Sequence, residues 1–252
     1  MTPTVPRIRC YLPKGGWDRS PVRIAGREAH HLLHVLRVTP GFKVTCFDGE
    51  GNEAEGVVAE VTRRDLLLRL KGKGRASVSG WQITLGVAIP QGGKLDQIVN
   101  EATQLGVSRI IPLSTARGVV KVSAEALGRK LAHWTRIAVE AGKQSGVSRL
   151  PAIDPVTSWS GLIRSISGYD LALIAAIEGP HEEIRALLSR GSARTILLLI
   201  GPEGDFTPEE IRQAVQAGAH RVSLGETVLR CETAAVAAVS ILSFLLRENP
   251  KG

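Results

Sequence analysis

The residues best suited to chemistry in this 252-residue chain lie in two short stretches. One is "LLLIGPEGDFTPEEI" (197–211), which carries Glu203 and Asp205. The other is "SLGETVLRCETAAVAAV" (223–239), which carries Arg230 and Glu232. In the first, an apolar run ends at Ile200 and Gly201-Pro202-Glu203-Gly204 turns the chain. A helix is then expected from Thr207, which is a good N-cap; Pro208 suits the first helical position, and Glu210 completes a capping box. A strand, a glycine turn and a helix start in series present a ligand site on the turn. Phosphate loops read G-x-x-x-x-G-K-[ST] or G-x-G-x-x-G, and neither pattern occurs here. The turn has no lysine, and Glu203 and Asp205 would repel a phosphate. A ligand with positive charge and no phosphate fits better. S-adenosylmethionine, with its sulfonium, amino group and adenosine, meets that description.

In the second stretch a strand is expected over 221–225, then a loop, then a helix from about Thr233. Two structural accounts fit Glu232: an ion pair with Arg230, or a helix cap. They explain Arg230, a long cation between apolar neighbours, less well. If both strands belong to one parallel sheet, both loops lie at its carboxyl edge, where open α/β sheets bind ligands. Neither loop holds a histidine. Phe206, beside the first turn, suits core packing better than stacking on a base.

The elements that must position these loops follow from periodicity. "QITLGVAI" (82–89), "RIIPLS" (109–114), "DLALIAAI" (170–177) and "TILLLI" (195–200) read as buried strands. Amphipathic helices are expected over 94–106, 124–146, 181–189, 207–217 and 233–246. Strands alternating with helices give an α/β fold with a parallel sheet. Residues 7–78 differ: "RIRCYL", "FKVTCFD", "EGVVAEVT" and "DLLLRL" are short strands separated by turns, with one short helix in "REAHHLLHVLRV" (27–38), as in a small β-barrel. "KGKGRASVSG" (71–80) reads as a linker or exposed loop. The expected domains are therefore 1–75 and 76–252.

Charge and cysteine usage narrow the function classes. The net charge is +8, and residues 1–79 hold 14 Lys/Arg against 8 Asp/Glu, a balance suited to phosphate backbones. Within that part, Arg63, Arg64, Lys71, Lys73 and Arg75 are the expected RNA phosphate contacts. His30, His31 and His34 are expected to be RNA-facing or structural. Three scattered cysteines lack metal-ligand spacing, so no metal site is expected and a reducing, cytoplasmic setting fits. The longest apolar run, 234–246, is too short to span a membrane.

Both stretches together closely resemble the ribosomal small-subunit RNA methyltransferases of the RsmE type, within the knotted SPOUT methyltransferases. "HHLLHVLRVTPG" resembles that family's N-terminal PUA-like barrel, and "KLDQIVNEATQLGVSRIIPL" and "AGKQSGVSRLPAI" resemble its linking motifs. The resemblance implies a C-terminal trefoil knot, S-adenosyl-L-methionine as cofactor, a homodimer, and methylation of N3 of one uridine in 16S ribosomal RNA of the small subunit. It places cofactor contacts at Ile200, Gly201, Pro202, Glu203 and Gly204, at Leu224, Gly225, Thr227, Val228 and Leu229, and at Glu178 after the strand 170–177. Arg230 is expected to stabilise charge on the uracil, with Glu232 or Glu203 orienting it or acting as base. Two departures from the family stand out: Asp205, where glycine is frequent, and the pair Glu226-Thr227. Ribose 2′-O-methylation and a non-catalytic RNA-binding or ribosome-assembly role are the competing expectations.

Overall fold

The computed structural model describes residues 8–17, 20–75, 80–118, 124–191 and 193–248. The chain divides into two compact units, Met1–Val78 with Val139–Leu150, and Ser79–Ala138 with Pro151–Gly252. A contiguous split at residue 75 would assign 139–150 to the second unit. The structure groups that segment with the first.

In the first unit, β1 (Arg9–Tyr11), β2 (Val22–Ile24), α1 (Gly26–His30), β3 (Lys43–Phe47), β4 (Asn52–Val61) and β5 (Leu66–Arg75) form a half-barrel. Its five strands run in the order β1-β3-β4-β5-β2, so among the described residues β1 and β2 are its edges. Strand alternation drives the packing: Val22 and Ile24 of β2 are buried while Arg23 between them is exposed. The helix expected over 27–38 is shorter. α1 gives way to a wider, π-helical turn at His31–Val35, with Leu32 fully buried and Arg37 at a φ of 51°. The linker expected at 71–80 is corrected in its first half. Lys71, Lys73 and Arg75 belong to β5, which continues opposite Asn52–Glu55 through a bulge. Gly72, with a φ of +60°, takes the left-handed conformation that this bulge needs. Residues 76–79 lie outside the described residues. Within the same unit, Lys143 Nζ donates to Glu28 Oε1 at 2.9 Å and the Leu150 N–H donates to the Gly49 carbonyl at 2.9 Å.

The second unit contains β6 (Gln82–Ala88), α2 (Lys94–Gln104), β7 (Arg109–Ser114), α3 (Ala124–Ser145, in this unit to Ala138), β8 (Ala152–Ile153) and β9 (Thr157–Ser158). After these come α4 (Trp159–Ile163), β10 (Leu171–Ala175), α5 (Ile184–Ser189), β11 (Thr195–Ile200), α6 (Pro208–Gln216), β12 (Ala219–Val222) and α7 (Cys231–Glu248). The sheet order is β12-β10-β11-β6-β7-β8, β9 also pairs with β7, and every pairing is parallel. Helices cover both faces. Ile196, Leu198 and Ile200 join a core with α2, α5 and α7, whereas Leu197 and Leu199 join one with α4 and α6. That is why "TILLLI" shows no polar alternation. From the edge strand β12 the chain returns to the middle of the sheet, where α7 packs on α2, β11 and β6. A C-terminal knot requires such a return.

Strand β12 begins and ends earlier than the expected 221–225. Ala217 caps α6, and after Gly218 the chain pairs directly with β10 from Ala219. At the other end, Ser223 Oγ accepts the Gly225 N–H at 3.2 Å and donates to its carbonyl at 3.1 Å, which turns the chain out of the sheet. No helix among the described residues is long and apolar enough to cross a membrane.

Candidate cofactor site

Strands β12, β10 and β11 are neighbours and parallel, so the loops that leave them emerge together at one edge. Those loops enclose a cavity of about 330 Å3, within the roughly 300–1,000 Å3 usual for small-molecule sites. Ala175–Ile177 after β10, Ile200–Asp205 after β11 and Ser223–Arg230 after β12 line it, closed below by Cys231 and Ala234 of α7. Of the sequence-derived cofactor residues, Ile200, Gly201, Pro202, Glu203, Gly204, Leu224, Gly225, Thr227, Val228 and Leu229 all line this cavity. Glu178 is not among the lining residues; Ile177, one residue earlier, is. The Glu178 carbonyl instead accepts Arg221 Nη1 at 3.4 Å.

Local chemistry shapes the turn after β11. Thr207 caps α6 by accepting the Glu210 N–H, and the Glu210 carboxylate accepts the Thr207 N–H at 2.8 Å. The other Glu210 oxygen accepts the Ala116 N–H at 2.8 Å, so this buried carboxylate also fixes the loop after β7. Glu203 accepts the Gln91 N–H at 3.0 Å, tying the turn to the loop after β6. Asp205 takes a φ of +61°; its Oδ1 accepts the Phe206 N–H at 2.7 Å and its Oδ2 accepts the Ile177 N–H at 2.8 Å. Phe206 is 2% exposed and packs on Trp159 at 4.9 Å between ring centroids, so it is a core residue and not a base-stacking platform.

Charge in the cavity is mainly negative. Glu203, Asp205 and Glu226 contribute carboxylates, and Arg230 is the one basic side chain among its described lining residues. A cationic, phosphate-free ligand suits that set. Arg230 is exposed, and its side chain has no hydrogen bond or ion pair among the described residues. The expected Arg230–Glu232 pair is not formed. Glu232, 8% exposed, instead pairs with Lys94 Nζ at 3.2 Å. A hydrogen bond from its own backbone amide, then Lys94 and Arg230, holds the Glu232 carboxyl below its ordinary range, against the opposing effect of burial. A carboxylate so stabilised is a weak base. Burial, with Glu203 and Glu232 nearby, pushes the Cys231 thiol up to about 12, so it stays protonated and is no nucleophile.

Motif reading missed Lys94, Gln91 and Arg117, whose guanidinium donates to the Gly204 carbonyl. All three follow the carboxyl ends of β6 and β7, and that position was the available signal. The residues expected to meet RNA lie on the first unit. Arg63 and Arg64 are exposed at the β4–β5 turn and Lys71 and Lys73 are exposed on β5, while the Arg75 side chain lies outside the described residues. His30 and His34 are exposed with ring centroids 4.7 Å apart, and His31 is half-buried.

Comparison with known proteins adds lineage to this geometry. The RNA methyltransferase domain family matches residues 78–243, and the RNA methyltransferase PUA domain matches residues 24–71. Ribosomal RNA small subunit methyltransferase E of Bacillus subtilis is 30% identical over 88% of this chain and 89% of its own length. The protein of that name from Mycobacterium bovis is 29% identical over 88% of this chain and 86% of its own length. A Legionella pneumophila structure, described as a methyltransferase with bound SAM, superposes with a TM-score of 0.86 at 29% identity, covering 95% of this chain and 98% of that one. A ribosomal RNA small subunit methyltransferase E from Neisseria gonorrhoeae, bound to S-adenosyl methionine, gives 0.84 at 27% identity, with coverage of 95% and 98%.

Proposed function

The chain belongs to the ribosomal RNA small subunit methyltransferase E family, and we propose that it methylates N3 of one uridine in 16S ribosomal RNA. The observation that carries this reading is the three-loop cavity, rich in carboxylates, with Arg230 at its edge. When bound, S-adenosylmethionine supplies an electrophilic methyl group on a sulfonium. The Gly201–Gly204 turn and the Leu224–Leu229 loop hold the cofactor, and Glu203 and Glu226 complement its positive charge.

The uracil imide must lose its proton before the nitrogen can attack, which leaves negative charge on the ring oxygens. Arg230, whose side chain makes no hydrogen bond or ion pair among the described residues, stabilises that charge. Glu232, held ionised by its own backbone amide and by Lys94, positions the start of α7 and hence Arg230. Glu203 tethers its turn through Gln91. The imide proton passes to solvent.

RNA docks through Arg63, Arg64, Lys71, Lys73 and Arg75, which neutralise phosphates and leave sequence to be read at the target. The enzyme works as a cytoplasmic homodimer. Ile241 and Phe244, three residues apart on α7 and 36% and 60% exposed, give a second copy an apolar face to cover. The test is transfer from methyl-labelled cofactor to small ribosomal subunits. Label in 16S RNA supports the reading, and its absence with intact, folded protein refutes it.

A further inference from the structure

We propose that Asp205 is a positioning residue for the cofactor. Its carboxylate ties the turn after β11 to the loop after β10 and so sets the width of the cavity between them. The inference rests on the cofactor reading above and adds a residue and a means to it.

Three observations point to this role. First, the β10–β11 ladder ends at Ile174 and Leu199, and the cavity lies beyond that end. Three residues past Ile174, Asp205 Oδ2 accepts the Ile177 N–H at 2.8 Å, so a side chain joins the two strand ends where the ladder has stopped. Second, Asp205 has a φ of +61°. Aspartate tolerates that conformation, but glycine adopts it freely, so backbone geometry alone does not call for an aspartate. What it adds is the carboxylate, with Oδ1 on the Phe206 N–H at 2.7 Å and Oδ2 reaching across to Ile177. Third, both joined residues line the cavity. Phe206 is anchored in the core, so the turn after β11 is the fixed partner and the loop after β10 is the one held. From the β12 side that loop is held by the Ala176 N–H on the Val222 carbonyl at 3.2 Å and by Arg221 on Glu178. Asp205 supplies the corresponding hold from β11.

Two variants of the full-length protein separate this role from simple stability. Asp205→Gly keeps the backbone conformation and removes the carboxylate. Asp205→Asn leaves one carbonyl oxygen for two N–H donors. Asp205→Gly is expected to bind S-adenosylmethionine about tenfold more weakly, as loss of a charge-assisted bond implies, while relief of the positive φ offsets part of the stability that its two hydrogen bonds supply. The rise in KM for cofactor should exceed any fall in kcat, and Asp205→Asn should fall between. Amide exchange at Ile177 in the ligand-free protein should speed up in Asp205→Gly. Unchanged cofactor affinity in Asp205→Gly overturns the proposal, and so does unchanged exchange at Ile177. If wild type binds no S-adenosylmethionine, the function proposed above fails, and exchange at Ile177 alone decides whether the tie exists.

Discussion

Lys94 Nζ lies 3.2 Å from Glu232 Oε1, joining the first residue of α2 to the second residue of α7. The pair occupies the carboxylate that Arg230 would otherwise meet, and so leaves that guanidinium available at the cavity edge.

Glu232 should therefore stabilise the fold in a pH-dependent way. Its folded pKa is depressed, so its contribution is present above the ordinary value of 4.5 and is lost as pH falls through the lower folded value. The melting temperature of Glu232→Gln should lie furthest below wild type near neutral pH, and the gap should close in acid. A gap that stays constant down to acid pH would contradict the assignment.

Arg230→Ala should cut methyl transfer by roughly 100–1,000-fold, the usual cost of removing a stabiliser of developing charge. Because the side chain is exposed and makes no hydrogen bond or ion pair among the described residues, the melting temperature and cofactor affinity should stay near wild type. Single-turnover rates with saturating cofactor read this directly; wild-type turnover in the pure variant would remove Arg230 from the mechanism.

Gly201 is constrained by the turn itself. A Cβ there would stand 3.0 Å from both Asp205 Oδ1 and the Phe206 nitrogen, so a side chain meets protein before it meets any ligand. Gly201→Val should thus cost about 1–3 kcal/mol of stability, as overpacking does, together with cofactor binding. In a double-mutant cycle, Gly201→Ala should cost less beside Asp205→Gly than alone, since one of the crowded atoms is gone. Strict additivity in urea unfolding would refute that coupling.

What the sequence disclosed was the local chemistry. The capping box of Thr207 and Glu210 is present as its spacing implied, because every atom of it lies within four residues. The two loops were legible because apolar strands and glycine turns mark their own ends. Long-range partners were not. Nothing in the string links Lys94 to Glu232 or Asp205 to Ile177, since sheet order brings them together. The bulge at Gly72 hid the second half of β5, because glycine and lysine in a strand read as a linker. Val139–Ser145 carries a helical pattern continuous with the residues before it, so periodicity gave no hint that Lys143 would reach Glu28.

Arg63 and Arg64 test the RNA surface in the whole chain. Replacing both with serine should lower affinity for 16S RNA and reduce the salt slope of log K by about 1 to 2, since each neutralised phosphate contributes roughly 0.7–0.9. Cofactor affinity should not change. An unaltered salt slope would move the RNA contacts elsewhere on the protein.

The central claim is N3 methylation of a uridine in 16S RNA, and nucleoside analysis of the product tests it most directly. Small subunits lacking the modification are incubated with the protein and S-adenosylmethionine, and their RNA is digested to nucleosides and resolved by mass spectrometry against standards. The account predicts N3-methyluridine in 16S RNA, absent from the Arg230→Ala reaction. A product of 2′-O-methyluridine, or no methylated nucleoside from protein that binds the cofactor, would contradict it.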